Sequence, residues 1–251
     1  MNRRDFVRRT ALVVAGHFGL QDLSNASPQP VEFGRIRLRT AKLDEVAAYY
    51  SQTLGLKVKS SNGVLTVEAG QSVLEFTAAQ GGEPFYHFAF NIPENKLDRS
   101  IEWLRPRCPI FKNPSSGQEI YHFANWNAHS IYFHDPAGNI LEFIARHTLP
   151  NSSEGPFRVA DILSVSEIAL VAPDLSVVAD RLKSDLGVPN YFGASPEFMA
   201  MGSEHALFIL AKTGRQWLGG TSQAAVYPVE VQLRGAPAKR LQWHDLPFSV
   251  S

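Results

Sequence analysis

The sequence predicts an α+β fold in which repeated strand–helix–strand–strand–strand units curl into a mixed-sheet half-barrel. Three observations predict this class. The same order of strand and helix patterns recurs three times along the chain. Glycine-containing turn signals separate the patterns. The composition, with 44% hydrophobic and 19% charged residues, is that of a folded protein.

The first unit covers residues 33–78. Apolar side chains at helical spacing mark one helix face, formed by Leu43, Val46, Ala47 and Tyr50. Gly55 supplies a left-handed helix end, and Asn62-Gly63 is a hairpin signal. The predicted elements are a strand at 34–40, a helix at 44–53 and strands at 56–60, 64–68 and 72–78.

The second unit covers residues 84–147 and repeats this order. It begins with a strand at 85–92 and a helix at 95–104, which Pro106 and Pro109 end. Two further strands at 129–134 and 140–146 flank a turn with the sequence Asp135-Pro136-Ala137-Gly138-Asn139.

A third, degenerate unit follows a polar linker. It contains a strand at 166–172, a helix at 175–186 closed by Gly187, and strands at 198–202, 205–211 and 227–233. The predicted division of the chain is therefore an export signal at 1–26, a paired-module domain at 33–148, a linker at 149–162, a third module at 163–235 and a tail at 236–251.

Charge and cysteine content exclude several classes of function. The 24 basic residues balance the 24 acidic ones, which argues against a nucleic-acid partner. The single cysteine, Cys108, excludes an intrachain disulfide and a thiolate zinc cluster. No apolar run reaches about 18 residues, so the mature chain has no predicted membrane span. We expect a small-molecule substrate or ligand.

The N-terminus has the three parts of a secretory signal. Four arginines precede an apolar stretch at 11–20, and the small residues Ser24-Asn25-Ala26 follow it. The segment Asn2-Arg3-Arg4-Asp5-Phe6-Val7-Arg8 resembles a twin-arginine export signal, which implies a periplasmic or secreted location. A basic amphipathic helix is the alternative interpretation of this segment.

Two motifs give the paired modules a family resemblance. Tyr49-Tyr50 precedes Leu54-Gly55 in the first unit, and Asp135-Pro136-Ala137-Gly138-Asn139-Ile140-Leu141-Glu142 closes the second. This arrangement resembles the vicinal oxygen chelate superfamily, which includes glyoxalase I, bleomycin-resistance proteins, methylmalonyl-CoA epimerase and extradiol dioxygenases. The resemblance covers 33–148 well and 163–211 weakly. It implies two modules curled around a divalent metal, and a homodimer or an added module that completes the cavity.

In that superfamily the metal ligands lie on the first and last strand of each module. The corresponding positions here are Arg35, Glu75, His87 and Glu142. An arginine has no lone pair to give to a metal, so the predicted ligands are His87, Glu142 and Glu75. One imidazole and two carboxylates suit Fe, Mn, Ni, Co or Mg.

The same residues allow a metal-free site. Arg35 could pair with Glu75 or Glu142 across the cavity, because a guanidinium can replace the charge of a cation. Alternation along the strand places Arg35, Arg37 and Arg39 on one face, which favours a carboxylate or phosphate ligand. Arg35 and Arg37 are thus predicted to bind substrate, with Tyr86 and Trp126 as aromatic walls.

Two further residues are candidate catalytic groups near the barrel mouth, His129 and Tyr132. The third unit offers Glu167 and Phe208 at its aligned positions, which make no metal pair, and Glu167 is expected to face solvent or a lid. Two functions remain open. One is a metal-dependent lyase, isomerase or oxygenase acting on a small oxygenated substrate, and the other is a metal-free binding protein.

Overall fold

A computed structural model describes residues 31–218, 222–235 and 239–251. It contains two curled mixed sheets with helices packed beside them, which confirms the predicted α+β class of repeated modules. The predicted export signal at 1–26 lies outside the described residues. No helix in the described ranges is long and apolar enough to cross a bilayer.

The first module begins with strand β1 (Glu32–Thr40) and helix α1 (Leu43–Ala48). The helix continues as a π-helical turn at Tyr49–Thr53, which together with α1 accounts for the predicted helix at 44–53. The module ends with strands β2 (Lys57–Ser61), β3 (Val64–Ala69) and β4 (Ser72–Ala78). Strand β4 returns parallel to β1, because α1 crosses between the two edges of the module.

The next two modules repeat this order. The second consists of β5 (His87–Ile92), α2 (Leu97–Leu104), β6 (Tyr121–Phe123), β7 (Ala128–His134) and β8 (Ile140–Arg146). The third consists of β9 (Ser164–Ala172), α3 (Leu175–Leu186), β10 (Asn190–Ser195), β11 (Phe198–Ser203) and β12 (Ala206–Lys212). Asp174 caps the start of α3 and Gly187, with φ of 69°, ends it.

Three short strands follow the third module, namely β13 (Val229–Arg234), β14 (Leu241–Gln242) and β15 (Phe248–Val250). The seven-stranded sheet has the order β14-β15-β13-β1-β4-β3-β2, and the eight-stranded sheet has the order β10-β11-β12-β9-β5-β8-β7-β6. The tail at 236–251, for which the sequence predicts no element, thus contributes two strands.

The modules pair differently from the prediction. The first module lies in the seven-stranded sheet and the second in the eight-stranded sheet, so the two modules of the predicted domain at 33–148 do not share a sheet. Strand β5 of the second module pairs antiparallel with β9 of the third, and β1 pairs antiparallel with β13. The predicted strand at 227–233 corresponds to β13, so it lies beside β1 and not in the third module.

Side chains on one face of each sheet pack into a shared core with the helices. Phe33 of β1 meets Phe208 of β12 edge to face, with ring centres 5.2 Å apart, and so joins the two sheets. Because strand side chains alternate, the other face of each sheet is left as a concave surface.

The predicted linker at 149–162 packs closely on the second module. Phe157 is buried against Trp103, with ring centres 5.2 Å apart. The ammonium group of Lys96 pairs with Asp161 at 2.8 Å. This segment therefore fixes the path of the chain into β9.

Candidate functional site

The turn before β8 positions His87 at the start of β5. Asp135 accepts hydrogen bonds from the backbone N–H groups of Ala137 (2.9 Å) and Asn139 (3.0 Å), which closes the turn. The side-chain oxygen of Asn139 accepts a bond from the backbone N–H of Tyr86 at 2.8 Å. The first module contributes Tyr50, whose hydroxyl donates to Asp135 at 3.1 Å. The motif that closes the second module thus aligns β5 with β8.

His87 is held as a neutral imidazole. Its Nδ1 lies 3.1 Å from the carbonyl oxygen of Ile140, which can only accept, so Nδ1 carries the proton and Nε2 the lone pair. Burial lowers the pKa of His87 to about 4. A neutral ring whose second nitrogen is anchored to a carbonyl is the form in which histidine binds metals.

Two glutamates complete the cluster. Nε2 of His87 lies 3.6 Å from Oε2 of Glu142. Ala89, two residues after His87, lies opposite Glu142 on β8 and opposite Glu167 on β9. One donor atom from each of His87, Glu142 and Glu167 lies within 4.8 Å of the others. All three side chains are buried, and the small side chain of Ala89 leaves space between the two acids.

Both carboxyl groups have a raised pKa. Burial, reinforced by the charge of Glu167, raises the pKa of Glu142 well above its usual value. Burial also raises the pKa of Glu167, although the adjacent Arg146 guanidinium opposes this. Two buried acids in contact favour states that carry an added proton or cation.

Arg146 is the cation next to the cluster, and its side chain is fully buried. It pairs with Glu167 through Nη2 and donates from Nε to Asn91 at 3.1 Å. Its third nitrogen, Nη1, has no hydrogen-bond partner among the described residues. One guanidinium balances only one of the two carboxylates, so the site can accept further positive charge.

A cavity of about 230 Å³ opens above the cluster. Its walls are mainly aromatic and consist of Phe123, Trp126, Tyr132, Phe192, Phe198 and Trp217. Trp217 lies in the segment after β12, and its ring centre is 5.2 Å from that of His87. Arg215 also lines the cavity, 5.1 Å from the Phe198 ring centre. It makes no ion pair with any described carboxylate.

The position on the last strand of the third module that corresponds to Glu142 carries an apolar residue. In the second module, Glu142 lies two residues after Ile140, the register partner of His87. In the third module, Ile209 lies two residues after Leu207, the partner of Glu167. Ile209 lines the cavity and is thus the counterpart of Glu142. Phe208, the aligned residue in the sequence prediction, faces the core instead.

Glu75, the third predicted ligand, lies elsewhere. It is on β4 of the seven-stranded sheet, whereas His87 and Glu142 are in the eight-stranded sheet. Arg35 pairs with its Oε1, and Arg37 reaches its Oε2 from Nη2 at 2.8 Å. Arg35 and Arg37, the predicted substrate-binding pair, are therefore also outside the cavity. Glu167 is expected from the sequence to face solvent or a lid, but its side chain is buried in the cluster.

The remaining predicted residues divide between the cavity and other places. Tyr132 and Trp126 line the cavity. Tyr86 lies beside it, with its ring 5.9 Å from that of Tyr227, and its hydroxyl accepts a bond from the Arg39 backbone. His129 is on the opposite face of β7 from Tyr132, because three positions separate them, and its Nδ1 lies 2.8 Å from Nε2 of His147. Its side chain thus points away from the His87 cluster, and its predicted catalytic role stays a prediction.

Sequence reasoning missed Glu167, Arg146, Arg215 and Trp217. Glu167 carries the same signal as the predicted ligands, a single acid in an apolar strand. Arg146 also had a signal, because it shares the face of Glu142 on β8. Arg215 and Trp217 lie in an irregular segment, where no periodic pattern could indicate them.

The donor set fits a divalent cation. Bonds of about 2.0–2.2 Å to one ion require the ligand atoms to lie within roughly 4.4 Å of one another, close to the spacing of this cluster. One neutral imidazole and two carboxylates suit oxygen-preferring divalent metals. The surplus of negative charge over Arg146 gives a cation an electrostatic reason to bind.

Comparison with solved structures identifies similar folds. A proposed dioxygenase from Bacillus subtilis aligns over 80% of this chain and 69% of its own, with 17% identity and a TM-score of 0.54. Glyoxalase I from Zea mays aligns over 81% of this chain and 74% of its own, with 15% identity and a TM-score of 0.52. At these identities the likeness establishes the fold alone. A scan against protein-family models found no match, and a comparison with curated proteins also found none.

Proposed function

We propose that this chain is a divalent-metal-dependent enzyme of the vicinal oxygen chelate type, acting on a small oxygenated substrate. His87, Glu142 and Glu167 would hold the metal. The observation that carries this proposal is the convergence of one neutral imidazole and two carboxyl groups at the base of an aromatic cavity. The similar fold of the maize glyoxalase I structure supports it.

A bound divalent cation would polarise two neighbouring substrate oxygens and stabilise negative charge on them. The protein supplies the surroundings for this chemistry. Tyr132 and Trp217 exclude water from the His87 side of the cavity, since both are buried and lie against that ring. Asn91 holds Arg146, and Arg146 holds Glu167, so the carboxylate of Glu167 has a fixed orientation.

Tyr132 is the proposed hydrogen-bond donor to the substrate. Burial raises the pKa of Tyr132 well above its usual value, so its hydroxyl stays protonated at neutral pH. A protonated phenol facing the cavity can donate a hydrogen bond to a substrate oxygen. Exchange of Tyr132 for Phe should weaken ligand binding more than it lowers the metal content, to which the hydroxyl contributes only through Glu142. Tyr121→Phe is a matched control, because Tyr121 packs on Tyr132 but does not line the cavity.

Arg215 is the proposed anchor for an anionic group on the substrate. It lines the cavity without an ion-pair partner in the described ranges. An arginine in such a setting is well suited to carboxylate or phosphate groups. The flat aromatic walls favour a planar or apolar remainder of the substrate.

Metal content tests this proposal directly. The metal-free protein is dialysed separately against Fe, Mn, Ni, Co and Mg ions, and bound metal is measured by mass spectrometry. We expect one equivalent in the wild type and loss of at least nine-tenths of it in His87→Ala, Glu142→Gln and Glu167→Gln. Glu75→Gln is the matched control, since it removes a buried acid from the other sheet. Absence of metal from the wild type under all five conditions would remove the proposal.

A second test measures ligand binding and does not require the enzyme reaction. 4-Nitrocatechol carries two vicinal oxygens, and its absorption changes when it chelates a metal. We expect a saturable change with the metal-loaded wild type and none with the metal-free protein. The same change in Glu142→Gln would show that the probe binds elsewhere.

A metal-free binding protein is the second candidate function. It is favoured by the Arg146–Glu167 ion pair, which already supplies one positive charge to the cluster, and by the aromatic walls. In that case 4-nitrocatechol would bind the metal-free protein, and Arg215→Gln would weaken the binding.

We also propose that the protein is exported, on the basis of residues 1–26. The test is cell fractionation of a bacterium that expresses the full chain. Replacement of Arg3 and Arg4 by lysine should retain the protein in the cytoplasm if the segment is a twin-arginine signal. Unchanged export of this variant would refute that mechanism.

A further inference from the structure

The seven-stranded sheet has a second concave surface, on the faces of β1 and β13 that correspond to the site-bearing faces of β5 and β9. Arg35, Arg37 and Arg39 lie along β1 on this surface, and Glu230 lies on β13 opposite Arg37. Unlike the cavity above the metal cluster, this surface is strongly basic. Arg35 and Arg37 share Glu75, and Arg37 also lies 3.5 Å from Glu230.

Two further arginines are not neutralised. Arg39 and Arg240 make no ion pair with any carboxylate in the part of the chain that the structure describes. Both line a hollow of about 360 Å³, together with Gln242, Ser249 and the apolar side chain of Leu246. An adjoining hollow of about 190 Å³ is lined by Arg37, Arg39 and Thr77.

The chemistry of this surface indicates its ligand. Two guanidinium groups without acid partners provide planar pairs of N–H donors, which match the oxygens of a carboxylate or phosphate. Gln242 and Ser249 add neutral polar groups beside them. The partly buried Leu246 provides a small apolar wall for an attached carbon group.

We propose that this hollow is a second ligand site, distinct from the metal cluster, and that it binds a small oxyanion through Arg39 and Arg240. Glu230 lines the same hollow and opposes anion binding, and its contact with Arg37 reduces that opposition. The proposal goes beyond the proposed function, because none of its residues belongs to the His87 cluster.

The test uses inorganic phosphate as the probe and NMR of protein labelled with ¹⁵N-arginine as the measurement. Titration of the full chain should shift the Nε–H signals of Arg39 and Arg240 in a saturable way, with both signals assigned from Arg39→Lys and Arg240→Lys. The double variant Arg39→Gln, Arg240→Gln should bind phosphate at least tenfold more weakly. Glu230→Gln should bind it more tightly, by about threefold or more.

Three controls separate this site from other sources of the signal. Arg105→Gln removes one positive charge, as each substitution of the double variant does, at an exposed arginine that pairs with Glu119, and it should bind phosphate as the wild type does. His87→Ala should also leave phosphate binding unchanged, which distinguishes failure of this proposal from failure of the metal proposal. Arg215→Gln should retain the Arg39 and Arg240 shifts.

Two results would overturn the proposal. One is the absence of saturable shifts at Arg39 and Arg240 up to tens of millimolar phosphate. The other is unchanged affinity in the double glutamine variant, which would show that phosphate binds at another place, such as the Arg215 side of the cavity. The double variant changes only the exposed side chains of Arg39 and Arg240, and a circular dichroism spectrum like that of the wild type is the check that it folds.

Discussion

Arg37 and Ala89 occupy equivalent positions in the two sheets. Arg37 on β1 lies opposite Glu75 on β4 and Glu230 on β13. Ala89 on β5 lies opposite Glu142 on β8 and Glu167 on β9. In one sheet a guanidinium fills the space between the two acids, and in the other a methyl group leaves that space open. The same backbone pattern thus gives an internal ion pair in one place and a candidate metal site in the other.

Exchange of Ala89 for Arg should therefore turn the Glu142–Glu167 site into an internal ion pair, like that of Arg37 with Glu75 and Glu230. The new guanidinium would lie between Glu142 and Glu167 and replace the cation electrostatically. We expect metal content to fall at least tenfold, with the far-ultraviolet circular dichroism spectrum retained. Ala89→Ser, which adds one atom, should keep most of the metal. Full metal content in the Ala89→Arg protein would show that the ion binds elsewhere.

The raised pKa of Glu142 gives a pH-dependent prediction for the metal-free protein. A carboxyl group whose pKa is higher in the folded than in the unfolded protein stabilises the fold below its unfolded value of 4.5, and this stabilisation is lost as the pH rises through the folded value. Glu142→Gln mimics the protonated group, so the variant should keep this stabilisation as the pH rises. We expect the variant to melt several degrees above the wild type at pH 8, because each kcal/mol shifts Tm by about 2–4 °C in a protein of this size.

The comparison at pH 4.5 is the control for this prediction. Near that pH the wild-type carboxyl is also largely protonated, so the difference in Tm between variant and wild type should shrink. Calorimetric scans of protein freed of metal by a chelator measure both values. An equal difference at the two pH values would contradict a titrating Glu142.

Local patterns predicted the modules well because their causes are local. The strand at 72–78, the strand at 140–146 and the helix at 175–186 match β4, β8 and α3, since alternation and end signals act within a few residues. The family resemblance also placed His87 and Glu142 together, and in the structure the first and last strands of their module pair in parallel.

Local sequence patterns could not predict which modules pair with each other. Glu75 and Glu167 have the same local signature, an acid within an apolar strand, and they differ only in which strands lie beside them. That choice depends on contacts between residues far apart in sequence, such as Phe33 with Phe208. The short strand β13 occupies the edge of β1 away from β4, so β1 pairs with β13 and not with β5.

Glu75 should contribute to stability and not to metal binding. It is buried, whereas the Arg35 and Arg37 side chains are 39% and 42% exposed, so solvent weakens their attraction to it. We expect Glu75→Gln to lower the free energy of unfolding by about 1–2 kcal/mol, measured with urea. Metal content should stay at the wild-type value.

Glu68→Gln is the matched control on the neighbouring strand. Glu68 pairs with Lys57 at the exposed edge of the same sheet, where ion pairs add little. Its urea midpoint should equal that of the wild type. If both variants unfold like the wild type, the arginine–Glu75 contacts do not stabilise the sheet. If Glu75→Gln loses metal, the assignment of the ligands is wrong.

Gly70 should be sensitive to any added side chain, because it lies where the first sheet meets the chain that enters β9. Its φ is 58°, and a Cβ atom there would lie 2.0 Å from the carbonyl oxygen of Leu163. The next residue, Gln71, donates its backbone N–H to that same oxygen at 2.8 Å. Gly70→Ala must therefore displace backbone that cannot move without breaking this bond.

Gly63 provides the comparison that separates this contact from backbone strain. Its φ of 74° is also in the left-handed region, but a Cβ atom there would meet nothing within 4 Å. Gly63→Ala should cost only the conformational strain, about 1–2 kcal/mol, while Gly70→Ala should cost roughly a further 1–3 kcal/mol from the forced contact. Urea unfolding of both variants measures the difference. Equal losses would mean that the turn at Gly70 does not anchor the first sheet on the segment before β9.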